Sequence, residues 1–149
     1  WDPVAAWDAG RFNADLAALV EPALPRDRPC VLCDYPAPAA SLARLGSGDQ
    51  TVAERWELYL GGLELANAYG ELTDAREQRR RFEEAAAARR RDGRDVYPLD
   101  EEFLADLAAG RLPPCGGIAL GVDRLAMLFS DAGDIAAVRP FCPPVGGLW

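Results

Sequence analysis

A hairpin pattern occupies the stretch AERWELYLGGLELANAYGELTD at residues 53–74. Residues 54–60 alternate between polar and apolar side chains, as a half-buried strand does. Gly61 and Gly62 follow, and both accept the positive φ that a type I′ turn requires. Residues 63–66 then form the return strand, so the stretch predicts an antiparallel β-hairpin.

The two-residue turn also sets the register of the predicted hairpin. It places Leu60 opposite Leu63, Tyr59 opposite Glu64 and Glu57 opposite Ala66. Glu57 and Glu64 are then diagonal neighbours on one face, with Cβ atoms roughly 7 Å apart. Two carboxylates so placed repel each other unless a divalent cation with phosphate oxygens neutralises them. The alternative is a pair of glutamates on a solvated sheet face, and the hairpin alone favours that alternative.

Three polar positions follow the hairpin and alternate among themselves: Asn67, Tyr69 and Glu71. Asn67 is three residues after Glu64, so all of them can point into one site only if a bulge intervenes around residues 65–67. An amide, an aromatic ring and a carboxylate together suit an amino-acid ligand with its ammonium groups, carboxylate and aliphatic stem.

A glycine-rich strand, GGIALGVDR at residues 116–124, runs directly into a helix. Glycine inside a strand often marks the close approach of a ligand or another backbone. Arg124 stands at the helix start, where its guanidinium could clamp a polyphosphate. The stretch is not a P-loop, because no Gly-Lys-Ser/Thr follows.

Capping residues, proline and glycine predict the remaining elements. The predicted helices are 13–20, 41–44, Thr73-Asp74 to about Arg91, Asp100 to Ala109 with Phe103, Leu104 and Leu107 inward, and one beginning at Asp123. The predicted strands are 30–35, expected to be buried, and 115–122; 46–49 is predicted to be a connector and 142–149 an irregular tail.

Composition limits the possible chemistry. The chain has 149 residues and a net charge of −8, its 16 basic residues are all Arg, and it contains no His. The acidic balance argues against a general binder of nucleic acid, and the mixed charges of the long Arg-rich helix favour a solvated face. The absence of His excludes the usual general base and the commonest metal ligand. No run approaches the about 18 apolar residues of a membrane helix, so no membrane span is expected.

Cysteine usage and the N-terminus give two further expectations. Cys30 and Cys33 have the spacing of a zinc or redox pair, but Cys115 and Cys142 are single and no His completes a set of four ligands. Small apolar thiols in a reducing cytoplasm are therefore expected. The chain begins at Trp1 without Met or a signal sequence, which suggests that it starts inside a longer reading frame.

The motifs together resemble a known family. Residues 53–82 resemble the core of lysyl-tRNA synthetases and of their short paralogue, the elongation factor P lysine ligases; residues 116–128 resemble motif 3 of class II synthetases, and residues 34–45 the segment before the core. The resemblance covers residues 30–139. It implies an α+β fold, a class II aminoacyl-tRNA synthetase-like antiparallel sheet flanked by helices. Residues 1–149 would be the C-terminal part of that catalytic domain, which would thus be N-terminally incomplete.

The resemblance also implies a role for individual residues. The expected ATP-binding residues are Glu57, Leu58, Gly121 and Arg124, and Mg²⁺ is expected at Glu57 and Glu64. The expected amino-acid-binding residues are Glu64, Asn67, Tyr69, Glu71 and Ala119, with the side-chain ammonium at Glu71. Glu64 and Arg124 are expected to be catalytic. Tyr69 stands where the family usually has Phe and Ala68 where it usually has Gly, which puts the pocket shape in question.

The implied activity is ATP-dependent formation of an aminoacyl-adenylate, followed by transfer to a lysine of elongation factor P. Ala119 stands where tRNA-charging enzymes usually carry Gly, which favours (R)-β-lysine over lysine and makes tRNA an unexpected partner. A homodimer is expected for the full-length protein. Motifs 1 and 2 are missing, so the chain alone is expected to be inactive. The alternatives are a fragment of a lysyl-tRNA synthetase that charges tRNA and a non-catalytic truncated paralogue.

Overall fold

The computed structural model describes residues 1–8 and 10–141. Its strands are Cys30–Leu32 (β1), Tyr35–Pro36 (β2), Val52–Ala53 (β3), Arg55–Leu60 (β4), Leu63–Gly70 (β5) and Gly116–Leu120 (β6). Its α-helices are Pro3–Asp8 (α1), Phe12–Asp15 (α2), Ala75–Arg91 (α3), Glu101–Ala108 (α4) and Val122–Ser130 (α5). Short 3₁₀ turns occupy Glu21–Ala23, Ala37–Ala39 and Ile135–Ala137, and Leu16–Val20 is π-helical. The predicted tail at 142–149 lies outside the described residues.

The main sheet is antiparallel, in the order β1-β4-β5-β6, and β2 pairs with β3 in a small second sheet. The predicted hairpin is confirmed, because Gly61 and Gly62 connect β4 to β5 with φ of 65° and 81°. An antiparallel sheet with flanking helices confirms the predicted α+β class. β5 continues to Gly70, four residues beyond the predicted end of the return strand.

A β-bulge at Leu65 shifts the hairpin register. Leu60 pairs with Leu63 and Tyr59 with Glu64, as predicted, but the next pair is Leu58 with Ala66. The predicted pairing of Glu57 with Ala66 is therefore wrong, and Glu57 lies opposite Asn67. The bulge expected around residues 65–67 is confirmed. One extra residue in β5 restores Asn67 to the face that Glu64 occupies, because side chains alternate along a strand.

Two predictions before the hairpin are wrong. Residues 30–35 are not one buried strand: Asp34 has φ of 59°, the chain turns there, and Val31 on the sheet edge is 58% exposed. Residues 41–44 are not helical, since Ser41 has φ of 52° and Ala43 bridges to Glu71. The backbone of this segment is used to pair with the end of β5, and that pairing excludes helical hydrogen bonds.

The predicted helices around the sheet are otherwise confirmed. Asp74 caps α3, with its Oδ1 accepting from the backbone N–H of Arg76 and Glu77 at 2.8 and 3.0 Å. Asp100 caps α4 in the same way. Leu104 and Leu107 are buried as predicted, but Phe103 is 37% exposed, which corrects its inward assignment. Its ring lies at the edge of the α3–α4 contact, 6.4 Å from that of Phe82.

The N-terminal segment supplies the main apolar cluster. The predicted helix 13–20 begins one residue earlier, at Phe12, and continues through the π-helical Leu16–Val20 into the 3₁₀ turn Glu21–Ala23. Phe12 and Leu16 are buried against Tyr35 and the alanines of the following loop. No described helix is long and apolar enough to cross a membrane.

The register gives the main sheet two unlike faces, because directly opposed residues point the same way. One face carries Arg55, Glu57, Tyr59, Asn67, Tyr69, Gly117 and Ala119. The other carries Val31, Trp56, Leu58, Ala66, Ala68, Ile118 and Leu120. The candidate site therefore lies on the first, polar face.

Candidate active site

Glu57 is the centre of a buried hydrogen-bond network. It is 4% exposed, although the hairpin pattern alone favoured a solvated glutamate. Its Oε1 accepts from Arg55 Nη2 at 2.7 Å and from Asn67 Nδ2 at 2.9 Å, and its Oε2 accepts from the Tyr59 hydroxyl at 2.7 Å. The alternation of β4 and the bulge in β5 bring these donors to one face. The solvated alternative is thus wrong for Glu57.

The network keeps the Glu57 carboxylate ionised. Burial by itself raises the pKa of Glu57, but the neighbouring hydroxyls and the Arg55 guanidinium outweigh it, so the net pKa is lowered. Burial and the same carboxylate raise the pKa of Tyr59, which stays a donor. The Tyr35 hydroxyl makes no hydrogen bond to a described residue, and burial together with the nearby Glu57 carboxylate raises its pKa.

Arg55 is a residue of this site that the sequence did not assign. Besides Glu57, its guanidinium donates to the Ala39 carbonyl at 2.9 Å and lies 4.3 Å from the centroid of the Tyr35 ring and 5.6 Å from that of Tyr69. The i, i+2 spacing of Arg55 and Glu57 on a strand was the available signal, since it places both side chains on one face. The Arg55 guanidinium therefore lies between the Glu57 carboxylate and the rings of Tyr35 and Tyr69.

Some buried polar atoms of the network keep unused hydrogen-bonding capacity. Within residues 1–8 and 10–141, neither Arg55 Nε nor Asn67 Oδ1 has a partner. Such buried atoms are normally satisfied by a ligand or an ordered water. The donor and the acceptor lie beside the expected amino-acid position.

The bulge also places Glu64 next to the start of α5. Arg124 Nη1 donates to the Glu64 carbonyl at 2.7 Å and lies 3.5 Å from its Oε2. The backbone N–H of Gly121 donates to Leu65 O at 2.8 Å. Two motifs that are far apart in sequence therefore meet at the bulge. Arg124 remains about half exposed, so its other nitrogens can reach an anion.

The expected amino-acid residues continue the same face toward the sheet edge. Asn67 lies opposite Ala119 and Tyr69 opposite Gly117. Glu71 follows the end of β5, where its N–H donates to Cys115 O at 3.0 Å. No described residue donates a hydrogen bond to the Glu71 carboxylate. It lies against Gly117, and an ideal Cβ on that glycine would be 2.1 Å from its Oε1.

The sequence of the chain also matches known proteins. The model of the tRNA synthetases class II (D, K and N) family matches residues 14–144. The chain belongs to this family. An elongation factor P–(R)-β-lysine ligase of Klebsiella pneumoniae is 50% identical over 122 residues, which cover 82% of this chain and 37% of the relative. The ligase of the same name from Pectobacterium atrosepticum has the same identity and coverage, and that of Salmonella heidelberg is 48% identical over the same shares. The chain thus spans about 37% of the length of these curated relatives.

In this class II synthetase domain Leu58 is placed differently from the other expected ATP residues. It pairs with Val31 on one side and with Ala66 on the other. Its side chain points to the face opposite Glu57. A nucleotide on the Glu57 face could therefore contact Leu58 only through backbone atoms, and those atoms lie in the middle of the sheet.

The two carboxylates expected at Mg²⁺ differ in availability. Both oxygens of Glu57 already accept hydrogen bonds, whereas Glu64 is partly exposed and, among the described residues, its carboxylate is held only by Arg124. Mg²⁺ is commonly bound by one or two carboxylates together with substrate phosphates, and Glu64 fits that role. Across residues 1–8 and 10–141 no group of three or more potential metal ligands occurs, and Cys33 lies exposed beyond the end of β1.

Proposed function

We propose that the full-length protein activates a lysine-type amino acid with ATP and transfers it to a lysine of elongation factor P. The names of the relatives support the substrates. The observation that carries the proposal is the continuous row of Asn67, Tyr69 and Glu71 facing Gly117 and Ala119, with Glu64 and Arg124 next to it. That row offers polar groups for an amino acid, and the Arg124 guanidinium beside it offers a positive charge for phosphate.

In the proposed reaction a carboxylate oxygen of the amino acid attacks the α-phosphorus of ATP, and pyrophosphate leaves. The neutral amine of the acceptor lysine then attacks the acyl carbon, AMP leaves with the electron pair of the broken C–O bond, and the new amide nitrogen loses one proton to solvent. Catalysis of this kind depends on positioning and charge stabilisation, so a site without His suffices.

Each group of residues has a place in that scheme. Glu71 accepts the side-chain ammonium, Asn67 contacts the polar end of the amino acid and Tyr69 covers its stem. Gly121 and Arg124 contact the adenine and the terminal phosphate. Glu64 and, less readily, Glu57 would hold Mg²⁺, which would supply neutralisation of phosphate charge when bound.

Ala119 supports (R)-β-lysine as the amino acid. It lies directly opposite Asn67, so its methyl group occupies the pocket face at the position where, by the resemblance, tRNA-charging enzymes usually carry Gly. A lysyl-tRNA synthetase fragment remains the second candidate because the matched family includes the lysine enzymes. Residues 1–149 are proposed to be the C-terminal part of the catalytic domain, in a homodimeric, cytoplasmic full-length protein. Without motif 2 the chain alone is proposed to be inactive.

The test is amino-acid-dependent pyrophosphate exchange by the full-length protein with lysine and with (R)-β-lysine. We expect faster exchange with (R)-β-lysine, followed by acylation of elongation factor P and not of tRNA. Exchange with neither amino acid would contradict both enzymatic candidates, and acylation of tRNA would favour the second.

Glu71→Gln tests the role of the carboxylate within this proposal. We expect the KM for the amino acid to rise roughly ten- to hundredfold, as for loss of a charged hydrogen bond, with little change in the KM for ATP. Glu83→Gln on the exposed side of α3 is the matched control and should change neither constant. Equal losses for ATP and amino acid would refute the assignment of Glu71.

A further inference from the structure

Two adjacent glycines of β6 meet different surroundings. A Cβ added at Gly117 would lie 2.1 Å from Glu71 Oε1 and 3.2 Å from its Cδ. Among the described residues a Cβ at Gly116 would meet only the Tyr69 carbonyl, at 3.4 Å, which is an ordinary contact. Gly117 faces the site and Gly116 the other side of the sheet. Only the first is required to be glycine by its contacts.

The backbone of Glu71 is held from both sides. Its N–H donates to Cys115 O, the residue bridges to Ala43, and the next N–H, of Leu72, donates to Leu42 O at 3.1 Å. These bonds join three segments of the chain. A shift of this backbone would break several of them, whereas the carboxylate can move by rotation about its own side-chain torsions.

A methyl group at position 117 would therefore displace the Glu71 carboxylate and leave the fold in place. The atom that it meets is the free end of a flexible side chain, to which no described residue donates a hydrogen bond. Gly117 does not show φ in the left-handed region, so the added methyl group brings no backbone strain. The Glu71 carboxylate occupies the space that a Cβ on Gly117 would enter.

We propose that Gly117 is a positioning residue that sets the place of the Glu71 carboxylate and thereby the affinity of the site for the ammonium of its amino acid. The inference rests on the proposed function, in which Glu71 receives that ammonium. It adds a specificity-determining position on the strand opposite Glu71, separate from Ala119, which lies beside Asn67.

The test compares Gly117→Ala with Gly116→Ala in the full-length protein. Pyrophosphate exchange gives the KM for (R)-β-lysine and for ATP, and thermal unfolding gives Tm. For Gly117→Ala we expect roughly a tenfold or larger rise in the amino-acid KM, an unchanged ATP KM and an unchanged Tm. Gly116→Ala should leave all of them unchanged. Equal effects of the two substitutions, or no rise for Gly117→Ala, would overturn the inference.

A double-mutant cycle separates displacement of Glu71 from direct crowding of the ligand. In a Glu71→Ala background, Gly117→Ala should add no further rise in KM, because no carboxylate is left to displace. An additive rise would mean that the methyl group acts on the ligand itself. If Gly117→Ala lowers Tm, the double variant should restore it, since the space is then empty; a Tm that stays low contradicts the inference.

The outcome also distinguishes this inference from the proposed function. An unsubstituted protein that shows no exchange contradicts the proposed function and, with it, the role assigned to Gly117. An active unsubstituted protein in which Gly117→Ala keeps the normal amino-acid KM contradicts the inference alone.

Discussion

Glu57 in the middle of the main sheet and Ala119 on its outer strand belong to the same face but to opposite environments. Glu57 is buried and has three hydrogen-bond donors, whereas Ala119 is exposed and lies among glycines. The inner strands hold charged groups in fixed positions. The outer strand contributes small residues and therefore open space. A ligand site needs both, because fixed groups supply orientation and small residues supply room.

The contrast matters for how the site is organised in the absence of ligand. Both oxygens of the Glu57 carboxylate accept hydrogen bonds from Arg55 and Tyr59, so this part of the site is arranged before anything binds. Glu64, Glu71 and Arg124 are at least partly exposed and have few or no side-chain partners. We expect substitutions in the first group to act mainly on stability and those in the second mainly on ligand binding.

The largest effect is expected for Arg55→Ala. It leaves the Glu57 carboxylate buried without its cation, which should lower the free energy of unfolding by ~3–5 kcal/mol. Urea denaturation of the full-length protein measures it. Arg76→Ala on the exposed side of α3 is the control and should cause little change. A similarly small effect of Arg55→Ala would show that the buried Arg55–Glu57 pair stabilises the fold no more than an exposed arginine does.

A smaller effect is expected for Tyr59→Phe, which removes one hydrogen bond to the buried carboxylate at a cost of ~1.5–3 kcal/mol at neutral pH. The folded-state pKa of Glu57 is lowered, so its contribution is fully present above the ordinary glutamate pKa and is lost as pH falls through the folded value. The difference between the variant and the unsubstituted protein should therefore shrink on acidification. Urea denaturation at several pH values measures it.

The control for that experiment is Tyr69→Phe on the same sheet face. The Tyr69 hydroxyl makes no hydrogen bond to any described residue, so the free energy of unfolding should change by less than about 0.5 kcal/mol. A difference between Tyr59→Phe and the unsubstituted protein that grows as pH falls would contradict the assignment of the hydrogen bond.

The smallest effect on stability is expected at the outer strand. Ile118 is 61% exposed on the apolar face, so Ile118→Lys should change the free energy of unfolding of the 149-residue chain by about 0.5 kcal/mol or less. It should also reduce self-association, because a charge on an edge strand opposes strand addition. Urea denaturation and sedimentation velocity measure the two. A large loss of stability would mean that β6 is packed against other residues, which would contradict the contrast between the buried inner strands and the open outer strand.

Several features could be predicted because they depend on neighbouring residues. The Gly61-Gly62 turn, the capped start of α3 and the termination of α4 at Gly110 follow from local backbone preferences and short-range hydrogen bonds. The bulge was also predictable. Glu64 and Asn67 can share a face only if one residue is added between them.

Other features escaped prediction because they depend on residues far apart in the chain. The segment 41–44 has a helical composition, but its backbone is used to pair with the end of β5. Glu57 lies opposite Asn67 and not Ala66 because the extra residue at Leu65 moves the later pairs of the hairpin by one position. Phe103 is 37% exposed although Leu104 and Leu107 of the same helix are buried, and which side of α4 is covered depends on how the helix packs against the rest of the fold.

The sequence by itself determined the family, the hairpin, the capped helices and the set of candidate residues, since motifs, turn glycines and capping residues act over a few positions. Only the tertiary structure decided which of those residues touch. Burial gives Glu57 its three donors, and the pairing of β5 with β6 brings Gly117 against Glu71. Both depend on how distant strands align, and the physical reason is that burial and close approach are properties of the packed sheet and not of any single segment.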